Sequence, residues 1–183
     1  ADPEEPQARR RGIELEQLES NGSRDVGAFS SFAELIAPFT ATNTRQTLDF
    51  RERSLAAYAG QLLGENFSFG ARYRVSRAEL NQQFPDIPDA AINLDQLEAG
   101  ERATLQQLGL SLNFHHRSGV FAQWESDWYH QNNSAYPDED FWQHNLMVGY
   151  RLPRRYAEVR FGLLNLFDTD YRLNPLNLHA ALP

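Results

Sequence analysis

The sequence predicts an all-β protein: a transmembrane antiparallel β-barrel with about eight visible strands, part of a larger barrel. Three observations predict it. Hydrophobicity alternates with period two in one segment after another. The links between those segments alternate between short and long. The apolar side of the clear segments carries no Asp, Glu or Arg. A charge facing lipid near the bilayer middle costs about 2–4 kcal/mol, which explains such an exclusion.

Residues 1–10, rich in Pro and charge, read as a loop or disordered tail. A first strand is expected over 11–19, with Ile13 and Leu15 opposite Glu14 and Glu16. A second is expected over 25–36, after a short turn at Asn21–Arg24, with unclear parity that suggests a bulge. The third, 52–63, places Leu55, Ala57, Ala59 and Leu63 on one side. In the fourth, 66–76, Phe67, Phe69, Ala71, Tyr73 and Val75 oppose Ser68, Gly70, Arg72, Arg74 and Ser76. The fifth, 104–116, carries Leu108, Leu110, Leu112 and Phe114 on its apolar side. The sixth, 119–130, sets Val120, Ala122, Trp124, Ser126 and Trp128 against Phe121, Gln123, Glu125 and Asp127. The seventh, 141–152, sets Trp142, His144, Leu146, Val148 and Tyr150 against Gln143, Asn145, Met147, Gly149 and Arg151. The eighth, 156–166, does the same with Ala157, Val159, Phe161 and Leu163. Residues 167–183 read as an extracellular loop before a missing closing strand.

Short turns are expected at Gly64–Glu65, Arg117–Gly119 and Pro153–Arg155, besides the one at Asn21–Arg24. Long links are expected at Ala37–Arg51, Arg77–Ala103 and Gln131–Asp140, the second with a helical turn capped by Asn93. Short turns at one end and long loops at the other are the habit of outer-membrane barrels. By this count the first strand descends and the last ascends. An open piece would leave unpaired backbone groups in lipid, each costing several kcal/mol. The remainder of the barrel or another chain is therefore expected to close it.

Composition trims the function classes. The 183 residues carry a formal net charge of −8, which disfavours a nucleic-acid partner. Every basic residue is Arg, so no lysine chemistry is available, and Cys is absent, so there is no disulfide or thiolate site. Lumen Arg72, Arg74 and Arg160 are candidates for holding an anionic solute, and loop Tyr136 for stacking on one. The bland reading of the arginines is ion pairing with Glu125, Asp127 and Glu158, and that of Tyr136 is a girdle residue. Trp124, Trp128, Trp142, Tyr150 and Tyr156 read as membrane girdle residues. No metal or other cofactor is expected: the histidines His115, His116, His130, His144 and His179 form no ligand set with carboxylates. Asp138, Glu139 and Asp140 lack the spacing of a calcium loop. No catalytic residues are assigned. A lipid-hydrolysing Ser126–His144 pair has no evident orienting group, and a glycosidase-like Glu125–Asp127 pair is more simply balanced across the lumen by Arg72, Arg74, Arg151 and Arg160. A soluble barrel that binds a ligand, with the apolar side turned inward, shows the same alternation.

The run Asn165-Leu166-Phe167-Asp168-Thr169-Asp170-Tyr171 resembles the end of the penultimate strand of TonB-dependent outer-membrane receptors. Arg11-Gly12-Ile13-Glu14-Leu15-Glu16 resembles another strand opening of that family. The resemblance implies a 22-stranded barrel in the bacterial outer membrane, in contact with its lipid, with these as its fourteenth to twenty-first strands. It also implies uptake of a small solute such as a metal chelate, with a TonB-type energy-coupling protein as partner. The family's plug and TonB-contacting box do not occur within residues 1–183. Export of a polysaccharide, or passive passage, through a plugless barrel with a periplasmic accessory domain is the alternative.

Overall fold

The computed structural model describes residues 9–28, 42–86 and 100–177. They form one antiparallel sheet of seven strands in sequence order. The strands are β1 (Arg9–Ala28), β2 (Thr42–Leu63), β3 (Phe67–Gln83), β4 (Gly100–His115), β5 (Val120–Asn133), β6 (Glu139–Arg151) and β7 (Glu158–Leu163). No α-helix occurs among the described residues. Among the described residues the sheet is not closed: β1 pairs only with β2, and β7 only with β6.

Seven strands replace the expected eight because the turn expected at Asn21–Arg24 does not form. Those residues continue β1 and pair with Gln46–Asp49 of β2 in unbroken register. Asn, Gly and Ser are turn formers by propensity, but here a continuous partner strand satisfies their backbone groups instead. The rest of the strand expected over 25–36 lies outside the described residues, as do residues 1–8, the turn capped by Asn93 and His179. Losing one turn reverses the first strand: β1 runs toward the long-link end, as β7 does. The long links also shrink. Residues 42–51 belong to β2, 77–83 to β3 and 100–103 to β4. The link expected over 131–140 is reduced to residues 134–138.

The other three short turns fall where expected. Gly64 (φ 65°) joins β2 to β3 and Gly119 (φ 99°) joins β4 to β5, both in the left-handed region that glycine enters without strain. A 3-10 turn at Pro153–Arg155 joins β6 to β7.

Register divides the side chains cleanly. One face carries Leu55, Ala57, Ala59 and Leu63 of β2 beside Phe67, Phe69, Ala71, Tyr73 and Val75 of β3. It continues through Leu108–Phe114, Val120–Trp128, Trp142–Tyr150 and Val159–Leu163, at alternate positions, as the parity predicts. These side chains have no covering layer among the described residues; Leu15 is 81% and Phe161 73% exposed. On the edge strand β1, Arg9 and Arg11 interrupt this apolar band near its short-turn end.

Apart from Ser126, the buried groups of the strands lie on the other face. Ala78 and Ala103 pack against Leu176, and Leu105, Tyr129 and Phe141 pack against Leu173. The chain after β7 therefore folds back across the polar face as a strap.

Candidate functional site

The polar face is built in cross-strand rows. Gly12, Tyr58, Arg72, Gly109, Asp127 and Gln143 face one another across β1 to β6. The row toward the short turns holds Arg10, Gly60, Gly70, Ser111, Glu125 and Asn145. The row toward the long links holds Glu14, Ala56, Arg74, Gln107, Tyr129 and Phe141. Small residues alternating with charged ones leave space beside each charge. A recess of about 120 Å³ is lined by Arg72, Arg74, Gln107, Gly109, Asp127 and Tyr129. It adjoins a broader one of about 480 Å³ that reaches Arg10, Tyr58, Ser111 and Glu125. Gly109 keeps the space open: a β-carbon there would meet the Asp127 carboxylate at 2.8 Å.

Of the ligand-binding candidates, Arg72 and Arg74 are brought together here and the other two are not. Their ion pairs correct the expectation. Arg72 reaches Glu14 at 3.7 Å and Arg74 reaches Glu16 at 3.4 Å, both on β1, rather than Glu125 or Asp127. The register explains it: β1 to β3 are in phase, so each Arg lies across β2 from a Glu in the next row. Arg160 lies at the short-turn end, where it and Arg151 pair with Glu158, as the bland reading had it. Both guanidinium groups also lie over the Phe121 ring, at 5.7 Å for Arg151 and 5.8 Å for Arg160. Tyr136 projects from the 134–138 link, 58% exposed and away from the recess.

The strap roofs the long-link side of this site. Gln131 is fully buried; its Nε2 donates to the Asn174 carbonyl (3.0 Å) and to Asn177 Oδ1 (2.9 Å), and its Oε1 accepts from Asn174 N (2.7 Å). Asn177 Nδ2 donates to Ser76 Oγ at 3.1 Å, and Ser76 Oγ donates to Glu52. A polar relay thus runs from β5 across the sheet to β2. Sequence reasoning missed Gln131, Asn174, Asn177 and Glu52, since no period or motif marks these contacts between distant segments.

The Asn165–Tyr171 motif is the corner that directs the strap. Asn165 (φ 48°) and Asp168 (φ 52°) adopt left-handed backbone. Asn165 Nδ2 donates to the Thr169 carbonyl (3.1 Å) and its Oδ1 accepts from Thr169 N (3.0 Å). Leu166 N still bonds to β6, at the His144 carbonyl (2.8 Å). Phe167 then meets the His144 ring edge-on at 5.2 Å on the apolar face. Tyr171 stacks on Phe141 at 4.9 Å on the polar face. Within this motif the chain crosses the β7 edge from one face to the other.

The girdle candidates Trp124, Trp128 and Trp142 all lie on the apolar face, stacked with His130 and His144. Tyr150 lies on the same face near the short turns, and Tyr156 is exposed in the link that follows β6. Ser126 and His144 are directly opposite, but Ser126 is buried and His144 is sandwiched between Trp124 and Trp142. The nearby Asp140 is engaged by Trp128 Nε1 (3.0 Å) and His130 Nδ1 (3.1 Å), which leaves His144 without a described orienting carboxylate. Asp138 accepts from Asn133 N (2.9 Å). No cluster able to hold a metal occurs among the described residues. Comparison of the chain with family models, curated proteins and solved structures finds no match.

Proposed function

We propose that the chain is part of a transmembrane β-barrel of a bacterial outer membrane that carries a small solute. The observation that carries this reading is the apolar band. On β2 and β3 it spans about nine residues, against the 9–11 that a tilted strand needs to cross a bilayer. From Trp142 to Tyr150 on β6, aromatic rings stand about 27 Å apart along the strand, or about 20 Å along a membrane normal at the usual tilt. Rings at both edges fit two headgroup zones. The strap supports the same orientation. The chain buries its own segment against the polar face, which favours an inward-facing polar side, the reverse of a soluble barrel.

By its resemblance the reading becomes TonB-dependent uptake, and β1 to β7 become the fifteenth to twenty-first of 22 strands. The direction of β7, toward the long links, agrees with that place. Arg72 and Arg74 in the recess suit a small anionic solute such as a metal chelate. Their pairing with Glu14 and Glu16 keeps them oriented until a stronger anion displaces the carboxylates.

Fractionation of the native full-length protein is the test. Retention in the outer membrane, with a gel mobility that shifts on boiling, is expected. Recovery in the soluble fraction with no shift would sink the reading.

A further inference from the structure

The arginines on the apolar face form a feature that solute passage does not use. At the long-link end the band stops at the row of Leu15, Leu55 and Val75. The next row places Arg53 directly opposite Arg77. The row after that holds Glu19, Arg51, Glu79 and Arg102. Like charges directly opposite across strands destabilise a sheet, so an in-register Arg53–Arg77 pair calls for an anion. The described residues supply too little. Arg51 takes Glu19 at 2.9 Å. Glu79 is shared between Arg77 at 2.9 Å and Arg102 at 3.9 Å. Arg53 has no ion pair among the described residues, and with Arg51, Arg77 and Glu79 it lines an open recess of about 310 Å³. The ion pairs that do form are exposed, and such pairs contribute little, so a stronger anion displaces them readily.

We propose that Arg53 and Arg77, flanked by Arg51 and Arg102, bind the phosphorylated headgroup of a lipid in the leaflet at the long-link end. The position favours a lipid over a dissolved anion. Arg53 and Arg77 stand one row, about 7 Å along the strand, past the last apolar side chains. There a lipid held by its acyl chains against Leu55, Tyr73 and Val75 presents its phosphate to the guanidinium forks. On β4 and β5 the row of Arg53 and Arg77 continues to the uncharged Thr104 and Asn132, so the anion site is confined to β2–β4. The inference rests on the membrane reading above.

The test uses the full-length protein in dodecyl maltoside with phosphatidic acid as probe, read by native mass spectrometry. Wild type retains phosphatidic acid. Arg53→Gln/Arg77→Gln binds it about tenfold less tightly, as expected for two lost charge-assisted pairs, while keeping its heat-modifiable mobility. The control Arg117→Gln, at the short-turn end, binds as wild type. Equal retention by the double variant, or an equal loss in Arg117→Gln, overturns the site. Displacement by inorganic phosphate at equal concentration overturns the lipid as its source. If the membrane-fraction protein shows unchanged retention in the double variant, the headgroup site alone fails. Recovery of native protein in the soluble fraction overturns the membrane reading and this inference with it.

Discussion

The first three strands and the last three handle the long-link end differently. β1, β2 and β3 run 20, 22 and 17 residues, well past the apolar band. β5, β6 and β7 run 14, 13 and 6. The long strands hold each other beyond the band by polar cross-strand contacts. Arg24 Nε donates to Gln46 Oε1 (2.6 Å), and Gln46 Nε2 donates to Gln82 Oε1 (2.7 Å). The short strands stop, and the strap folds over them instead, burying Leu105, Tyr129 and Gln131. The strap reaches the long strands only at Ala78 and Ser76 of β3, where Leu176 and Asn177 dock; past that edge the extension of β1 and β2 stands free, while β4 to β6 carry a packed layer with a small core. Stability at this end should therefore be unequal, with the packed half the costlier to break.

The largest effect is expected in the packed half. Leu105 is fully buried beneath Leu173, so Leu105→Ala should destabilise by about 2–4 kcal/mol through lost burial and a cavity. Urea unfolding followed by the fluorescence of Trp124, Trp128 and Trp142 would measure it. Comparable loss from an apolar truncation in the β1–β3 extension, such as Leu18→Ala, would erase the contrast. Next comes Gln131→Ala, which leaves the Asn174 N–H and carbonyl without their partner at a cost of about 1–3 kcal/mol. The loss falls on docking of the strap rather than on the ladder. Trypsin cleavage after the exposed Arg172 should then accelerate about tenfold or more, since cleavage tracks the open population. Unchanged cleavage would show that the strap is held by the leucines alone.

What was legible in the sequence follows the same division. The two faces of the sheet were legible, because alternation is written locally in Phe67–Val75 or Trp142–Tyr150. The tight turns at Gly64 and Gly119 were legible because a left-handed backbone needs a particular residue. Asn21–Arg24 misled because turn propensity is local, whereas its pairing with Gln46–Asp49 depends on a strand twenty or so residues away in sequence. The ion pairs of Arg72 and Arg74 needed the register of β1 on β2, which composition cannot supply. The strap was the least legible. Gln131 and Asn177 meet across 46 positions, and nothing in either neighbourhood announces the other.

The smallest effect should come from the free-standing half. Gln46 links β1 to β3 through Arg24 and Gln82, and Gln46→Ala removes both bonds. Arg24 and Gln82 stand at the open end of the extension and regain water, so the cost should stay near 1 kcal/mol or below. Global unfolding should barely move. Amide exchange should quicken in residues 22–27 and 44–48 while the amides of Leu55–Leu63 and Phe67–Val75 keep their protection. If exchange quickened along the whole of β2, the extension and the band would be one cooperative unit. The contrast between a packed half and a free-standing half would then have to be redrawn as one between two ends.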